Sequence, residues 1–149
     1  MKTMEAQEKQ RRGEDYILKT QIGFVLRQAH QRHTTIFASR MIEELTPTQW
    51  AALAKLKEIG PSSQNLLGRL IAMDAATIKG VIDRLTKRGF TRTKPDPADG
   101  RRLVVALTER GAALYDRARP VAARITELTL APLNESEQAE LLALLARLT

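Results

Sequence analysis

The chain contains no cysteine. That absence excludes a disulfide framework, a zinc finger, an iron–sulfur site, a thiol nucleophile and a thiol redox switch. Histidine is almost as scarce, with two in 149 residues, His30 and His33. No Asp or Glu falls at the spacing that would complete a metal shell around them, so neither a metal nor a cofactor is expected. No apolar run approaches the roughly 20 residues that cross a bilayer. Residues 1–14 are polar and of mixed charge, without the apolar stretch of a signal peptide. A soluble cytoplasmic protein without a membrane partner is the expectation. A phosphate-binding glycine-rich loop and a nucleophile elbow are also missing. Glu43 and Glu44 are adjacent, so on a helix they face different directions and make no carboxylate pair. The chain reads as a non-enzyme.

What is present is a globular composition with a basic bias. Hydrophobic residues make up 43%, enough for one core, and 149 residues suit a single domain. The formal charge is +7, which points to a polyanionic partner. Its distribution is uneven. Between residues 84 and 102, Arg84, Lys87, Arg88, Arg92, Lys94, Arg101 and Arg102 meet only Asp96 and Asp99. A solvated face with chance clustering is the plain alternative.

Apolar periodicity divides the chain into helices. From Asp15 to about Met41, Leu18, Ile22, Val25, Leu26, Ala29, His33, Ile36 and Phe37 recur at steps of three and four. Such a helix is about 40 Å long and asks for a partner. Thr46-Pro47-Thr48-Gln49 is a helix start with a capping box, and the helix stops at Gly60-Pro61. Ser62 or Ser63 caps a short helix carrying Leu66, Leu67 and Leu70. Asp74 caps the next, 75–88, whose Ile78, Val81, Ile82 and Leu85 lie at i, i+3, i+4, i+7. Two short helices so joined, the second basic outside, have helix-turn-helix spacing. Residues 90–94 and 101–107 flank a Pro/Asp/Gly turn and predict a β-hairpin with a basic tip. Thr108 caps a long helix with an a/d seam through Leu114, Ala118, Val121, Ile125 and Leu128, which Pro120 is expected to bend. Asn134 begins a last, leucine-rich helix.

The stretch from Ala76 to Phe90, followed by Asp96-Pro97-Ala98-Asp99-Gly100-Arg101-Arg102 and Leu107-Thr108-Glu109-Arg110-Gly111, resembles the multiple-antibiotic-resistance regulator (MarR) family of winged-helix repressors. The aspartate-x-arginine of the wing (Asp99, Arg101) and the leucine-threonine-x-x-glycine after it are the most specific parts. The resemblance implies a mainly α fold. A winged helix-turn-helix lobe with a two-stranded β-wing would occupy 46–107, and long terminal helices, 15–41 and 108–149, would form a dimerisation domain. It implies a homodimeric transcriptional repressor on a palindromic double-stranded operator, released by a small-molecule effector. Aromatic carboxylates or their coenzyme A thioesters are the effector class the resemblance suggests.

Site residues follow from the two readings together. On the second short helix, exposed Ala75, Ala76, Thr77, Lys79 and Gly80 suit the major groove. The methyls meet thymine, Lys79 donates to guanine or a phosphate, and Gly80 permits close approach. Arg84, Lys87 and Ser63 suit phosphates. Arg101 and Arg102 on the wing suit a narrow minor groove, with Asp99 bracing the hairpin. Arg27, His30, His33, Arg40 and Trp50 are the candidate effector contacts, a core or interface role for the histidines and Trp50 being the plainer reading. Two rival functions stay open: an effector-independent, nonspecific or architectural DNA binder, and a helical module whose basic face binds acidic proteins.

Overall fold

Six α-helices and three short strands follow one another along the described residues, Met4 and 15–149 of a computed structural model. The chain divides into two units, residues 1–33 and 34–149. A single 3₁₀ turn at Leu18–Thr20 precedes α1 (Ile22–Arg40), whose first twelve residues belong to the first unit. The helix expected from Asp15 therefore starts seven residues later. Thr20 Oγ1 and Gln21 Nε2 both donate to the Ile17 carbonyl, at 2.8 and 3.2 Å. Such local side-chain bonds compete with the helical ladder, and Gln21 itself is extended (ψ 134°). At 19 residues α1 is about 28 Å long rather than 40. Ile22, Val25 and Leu26 are exposed on it.

The second unit is built on helix starts that the sequence announces. Thr46 caps α2 (Pro47–Ile59) with a complete capping box through Gln49. Ser63, not Ser62, caps α3 (Gln64–Leu70), accepting from the Leu66 N–H at 3.2 Å. Asp74 caps α4 (Ala75–Lys87), Thr108 caps α5 (Glu109–Leu130) and Asn134 caps α6 (Glu135–Ala146). Pro120 lies inside α5 without ending it.

The expected hairpin is present as β2 (Thr91–Pro95) and β3 (Leu103–Leu107), paired from Thr91↔Leu107 to Pro95↔Leu103. The sheet has a third member that the two-stranded expectation omitted. Ser62–Ser63 forms β1 and pairs antiparallel with β3, giving the order β1-β3-β2. Two serines carry no alternating apolar signal, so only the pairing partner reveals the strand. Arg101 and Arg102, expected at the start of the returning strand, stand in the turn before it.

Ala52, Leu53, Leu56, Leu67, Ile78, Val81, Ile82, Leu85, Phe90, Val105, Leu114 and Ala118 form one buried cluster around α4. Gly68 lets α3 and α4 close on each other. A β-carbon there would stand 3.1 Å from both Ile78 Cγ2 and the Met73 carbonyl. The four large apolar residues of α4 are each 1% exposed or less. All of its charged residues stay outside, which fixes the helix's roll about its axis.

Candidate nucleic-acid interface

Three ties hold α4, the start of α3 and the wing to one another. Pairing of Ser63 with Val104 carries the first turn of α3 to the sheet. The hydroxyls of Thr86 and Thr91 meet at 2.8 Å, joining the end of α4 to β2. The third tie explains the leucine-threonine-x-x-glycine run. Thr108 Oγ1 donates to the Gly89 carbonyl at 2.6 Å and accepts from the Gly111 N–H at 3.0 Å. The Thr108 N–H donates to the Phe90 carbonyl at 3.1 Å. Gly111 lies so close to that carbonyl that a β-carbon on it would stand 1.9 Å from the oxygen. These signature residues thus clamp the base of the wing. Arg88 and Arg110 lie over the Phe90 ring, each 5.0 Å from its centroid.

The resulting face has two adjoining clefts. Ser63, Gln64, Asn65, Arg69, Arg101, Arg102 and Leu103 line one of about 230 Å³. Gln64, Gly80, Asp83, Arg84, Thr86, Lys87, Thr93 and Leu103 line the other, of about 620 Å³. Gln64 and Leu103 belong to both. The structure therefore brings Ser63, Gly80, Arg84, Lys87, Arg101 and Arg102 together along one run of surface. Ala75, Ala76, Thr77 and Lys79 are exposed on the N-terminal half of α4. Their helix start is fixed by Asp74, whose carboxylate accepts from the Thr77 N–H at 2.7 Å. That bond holds the carboxyl below its ordinary 3.8.

Asp99 braces the wing turn, as its spacing permitted. Its Oδ1 accepts from the Arg101 N–H at 3.1 Å, and its Oδ2 lies 3.9 Å from Arg102 Nε. Asp96 accepts from the Ala98 N–H at 2.8 Å, closing the other side of the turn. Gly80 has a different neighbour from the one expected. The Arg84 guanidinium folds back over it, 3.4 Å from where a β-carbon would lie, so bare backbone is not what this position presents. Lys79 is paired: its Nζ donates to Asp83 Oδ2 at 2.7 Å. Sequence reasoning placed Asp83 on the exposed face of this helix but left it out of the site, although its i, i+4 spacing from Lys79 was a readable signal. It also passed over Gln64, Asn65 and Arg69, which become part of the face only because β1 docks α3 against the wing.

The candidate effector residues lie in both units. Arg27 and His30 are exposed on α1, and His33 is half-buried. Burial first, then the neighbouring His30, keeps the His33 pKa below its ordinary 6.5. Arg40, the last residue of α1, is exposed. Trp50 packs on the core and stacks on Tyr115, with ring centroids 5.4 Å apart and planes 7° from parallel. One face of its indole is thereby occupied. Among the described residues, no cluster of three His, Asp or Glu side chains is arranged to hold a metal ion. None of the described helices is long and apolar enough to cross a membrane.

Comparison with known proteins gives the same outline. The model of the MarR family matches residues 45–103. The HTH-type transcriptional repressor NicR of Pseudomonas putida is 42% identical over 134 residues, covering 89% of this chain and 85% of that protein. The crystal structure of a probable transcriptional regulator from Pseudomonas aeruginosa is 54% identical. It superposes with a TM-score of 0.87 over 89% of this chain and all (100%) of that one. BpsR of Bordetella bronchiseptica, whose DNA binding is regulated by 6-hydroxynicotinic acid, is 36% identical. Its TM-score is 0.86, over 90% of this chain and 96% of BpsR.

Proposed function

The chain belongs to the MarR family of transcriptional regulators, and from that premise we propose that it is a homodimeric repressor that a small aromatic acid releases from a palindromic operator. One observation carries the DNA-binding half: the two adjoining clefts unite the cationic end of α4 with the wing arginines. Arg101 and Arg102, in an exposed turn braced by Asp99, reach into the minor groove beside the site. Arg84 and Lys87 hold phosphate, as does Ser63 at the start of α3. Residues 75–80 face the major groove.

The terminal segments supply the dimer. Leu141, Leu142, Leu144 and Leu148 are exposed on or just after α6, and Ile22, Val25 and Leu26 on α1. Apolar surface on this scale in a short chain is accounted for by a second copy. A two-fold pair of lobes then meets half-sites about 34 Å apart. The effector is an aromatic carboxylate or its coenzyme A thioester, with Arg27, His30, His33, Arg40 and Trp50 as candidate contacts. The regulation of BpsR by 6-hydroxynicotinic acid supports the carboxylate. Such a ligand releases DNA only to the extent that it binds the DNA-incompetent conformation more tightly.

The test is a gel shift on DNA upstream of the gene against random duplex, at two salt concentrations. Preferential, salt-sensitive retention of the upstream DNA is expected. Arg101→Ala should weaken it and flatten preference for AT-rich flanks, while stability moves by no more than about 0.5 kcal/mol. Equal binding to both duplexes at every salt concentration would overturn the repressor reading in favour of a nonspecific binder.

A further inference from the structure

The pair formed by Lys79 and Asp83 is out of character with the face it occupies. Its side chains are 65% and 61% exposed. An exposed i, i+4 pair adds little to stability. Yet Asp83 lines the same cleft as Arg84 and Lys87, so a carboxylate stands within an otherwise cationic surface. A neutral pair does nothing for a phosphate backbone, and its carboxylate half repels one. What it presents is a pattern: one donor head beside one acceptor head, held on one side of the helix by a single turn's spacing. The major-groove edge of a G·C pair presents the converse, with O6 and N7 acceptors on guanine and an N4 amino donor on cytosine.

We propose that Lys79 and Asp83 act as a joint donor–acceptor reader of one G·C base pair in each half-site, with Asp83 a specificity-determining residue. The proposal rests on the DNA-binding face argued above. Lys79 donates to guanine and Asp83 accepts from cytosine N4. Where a thymine stands in place of the cytosine, the carboxylate meets the O4 acceptor and the methyl group and gains no donor from the base. Arg84, folded over Gly80, and Lys87 supply backbone affinity that does not depend on Asp83.

The experiment is selection from a randomised duplex library by the full chain, by Asp83→Ala and by Glu127→Gln. Alanine at an exposed helical position favours the fold. Glu127, on α5 and paired with Arg124, controls for the same change in net charge. The unsubstituted chain should enrich a half-site with one fixed G·C pair. Asp83→Ala should lose on the order of tenfold discrimination at that position alone. Its salt slope on unselected DNA should steepen by about one unit as Lys79 turns to phosphate. Glu127→Gln should move neither. If Asp83→Ala enriches the same sequence with equal strength, the proposal falls and the DNA-binding face stands. If the unsubstituted chain enriches nothing, the face and the proposal fall together.

Discussion

Helices α4 and α6 are close in length, 13 and 12 residues, and both begin with a side-chain cap, but they end up opposite in burial. All four large apolar residues of α4 lie in one buried cluster with residues of α2, α3, β3 and α5. α6 buries none of its residues, and Leu142 and Leu144 stand 55% and 49% exposed. Capping starts a helix but does not determine where its apolar face goes. The lobe around α4 satisfies its helix from its own chain. In the proposed dimer the leucines of α6 are covered by a second one, and the oligomeric state is where the two helices diverge in experiment.

Removing a leucine from each should separate them most clearly. Leu85→Ala leaves a hole in the closed cluster and should cost about 2–5 kcal/mol. The loss of unfolding free energy should be the same at every protein concentration if the dimer interface is untouched, as chemical denaturation at two concentrations checks. A loss under about 1 kcal/mol would mean the lobe is less tightly packed than its exposure values imply.

The matching change in α6 should act through association. Leu142→Glu with Leu144→Glu should leave the lobe folded while shifting the sedimentation coefficient from dimer to 16.7 kDa monomer at micromolar concentration. Operator affinity should fall with it, because each lobe then grips one half-site alone. A double variant that sediments as the parent does would place the dimer contact elsewhere.

The smallest expected difference lies in the caps. Asp74 is held below its ordinary 3.8 by the Thr77 N–H. A carboxyl with a depressed folded-state pKa contributes stability above its unfolded value and loses it as pH falls through the folded one. Hydrogen-exchange protection of the Thr77 amide should therefore decline a few-fold below about pH 4. Asp74→Asn keeps a capping side chain and should abolish that dependence. The amide of Asn134, which caps α6, does not titrate. The Glu137 amide it holds, at 2.9 Å, should show no such loss from its cap.

Much of the fold was legible because its signals are local. Thr46, Ser63, Asp74, Thr108 and Asn134 each satisfy an N–H a few residues away. The i, i+3, i+4, i+7 set of α4 selected the buried side of the helix without reference to any partner. The two-residue strand β1 was not legible, since a strand this short is defined by the β3 backbone across from it. The start of α1 was misjudged because apolar periodicity continues through Leu18 while the backbone bonds at Ile17 do not.

The same division runs through the candidate site. Sequence alone determined the identity and net sign of the basic stretch, the roll of α4 and the turn that carries Arg101 and Arg102, all set by neighbours within a few residues. The Lys79–Asp83 pair and the fold of Arg84 over Gly80 are i, i+4 contacts within α4, so they belong with the local signals. Tertiary structure alone decided that Gln64, Asn65 and Arg69 join Arg101 and Arg102. Two serines carry no signal of their own for a strand, so only the β3 backbone across from them brings the start of α3 to the wing.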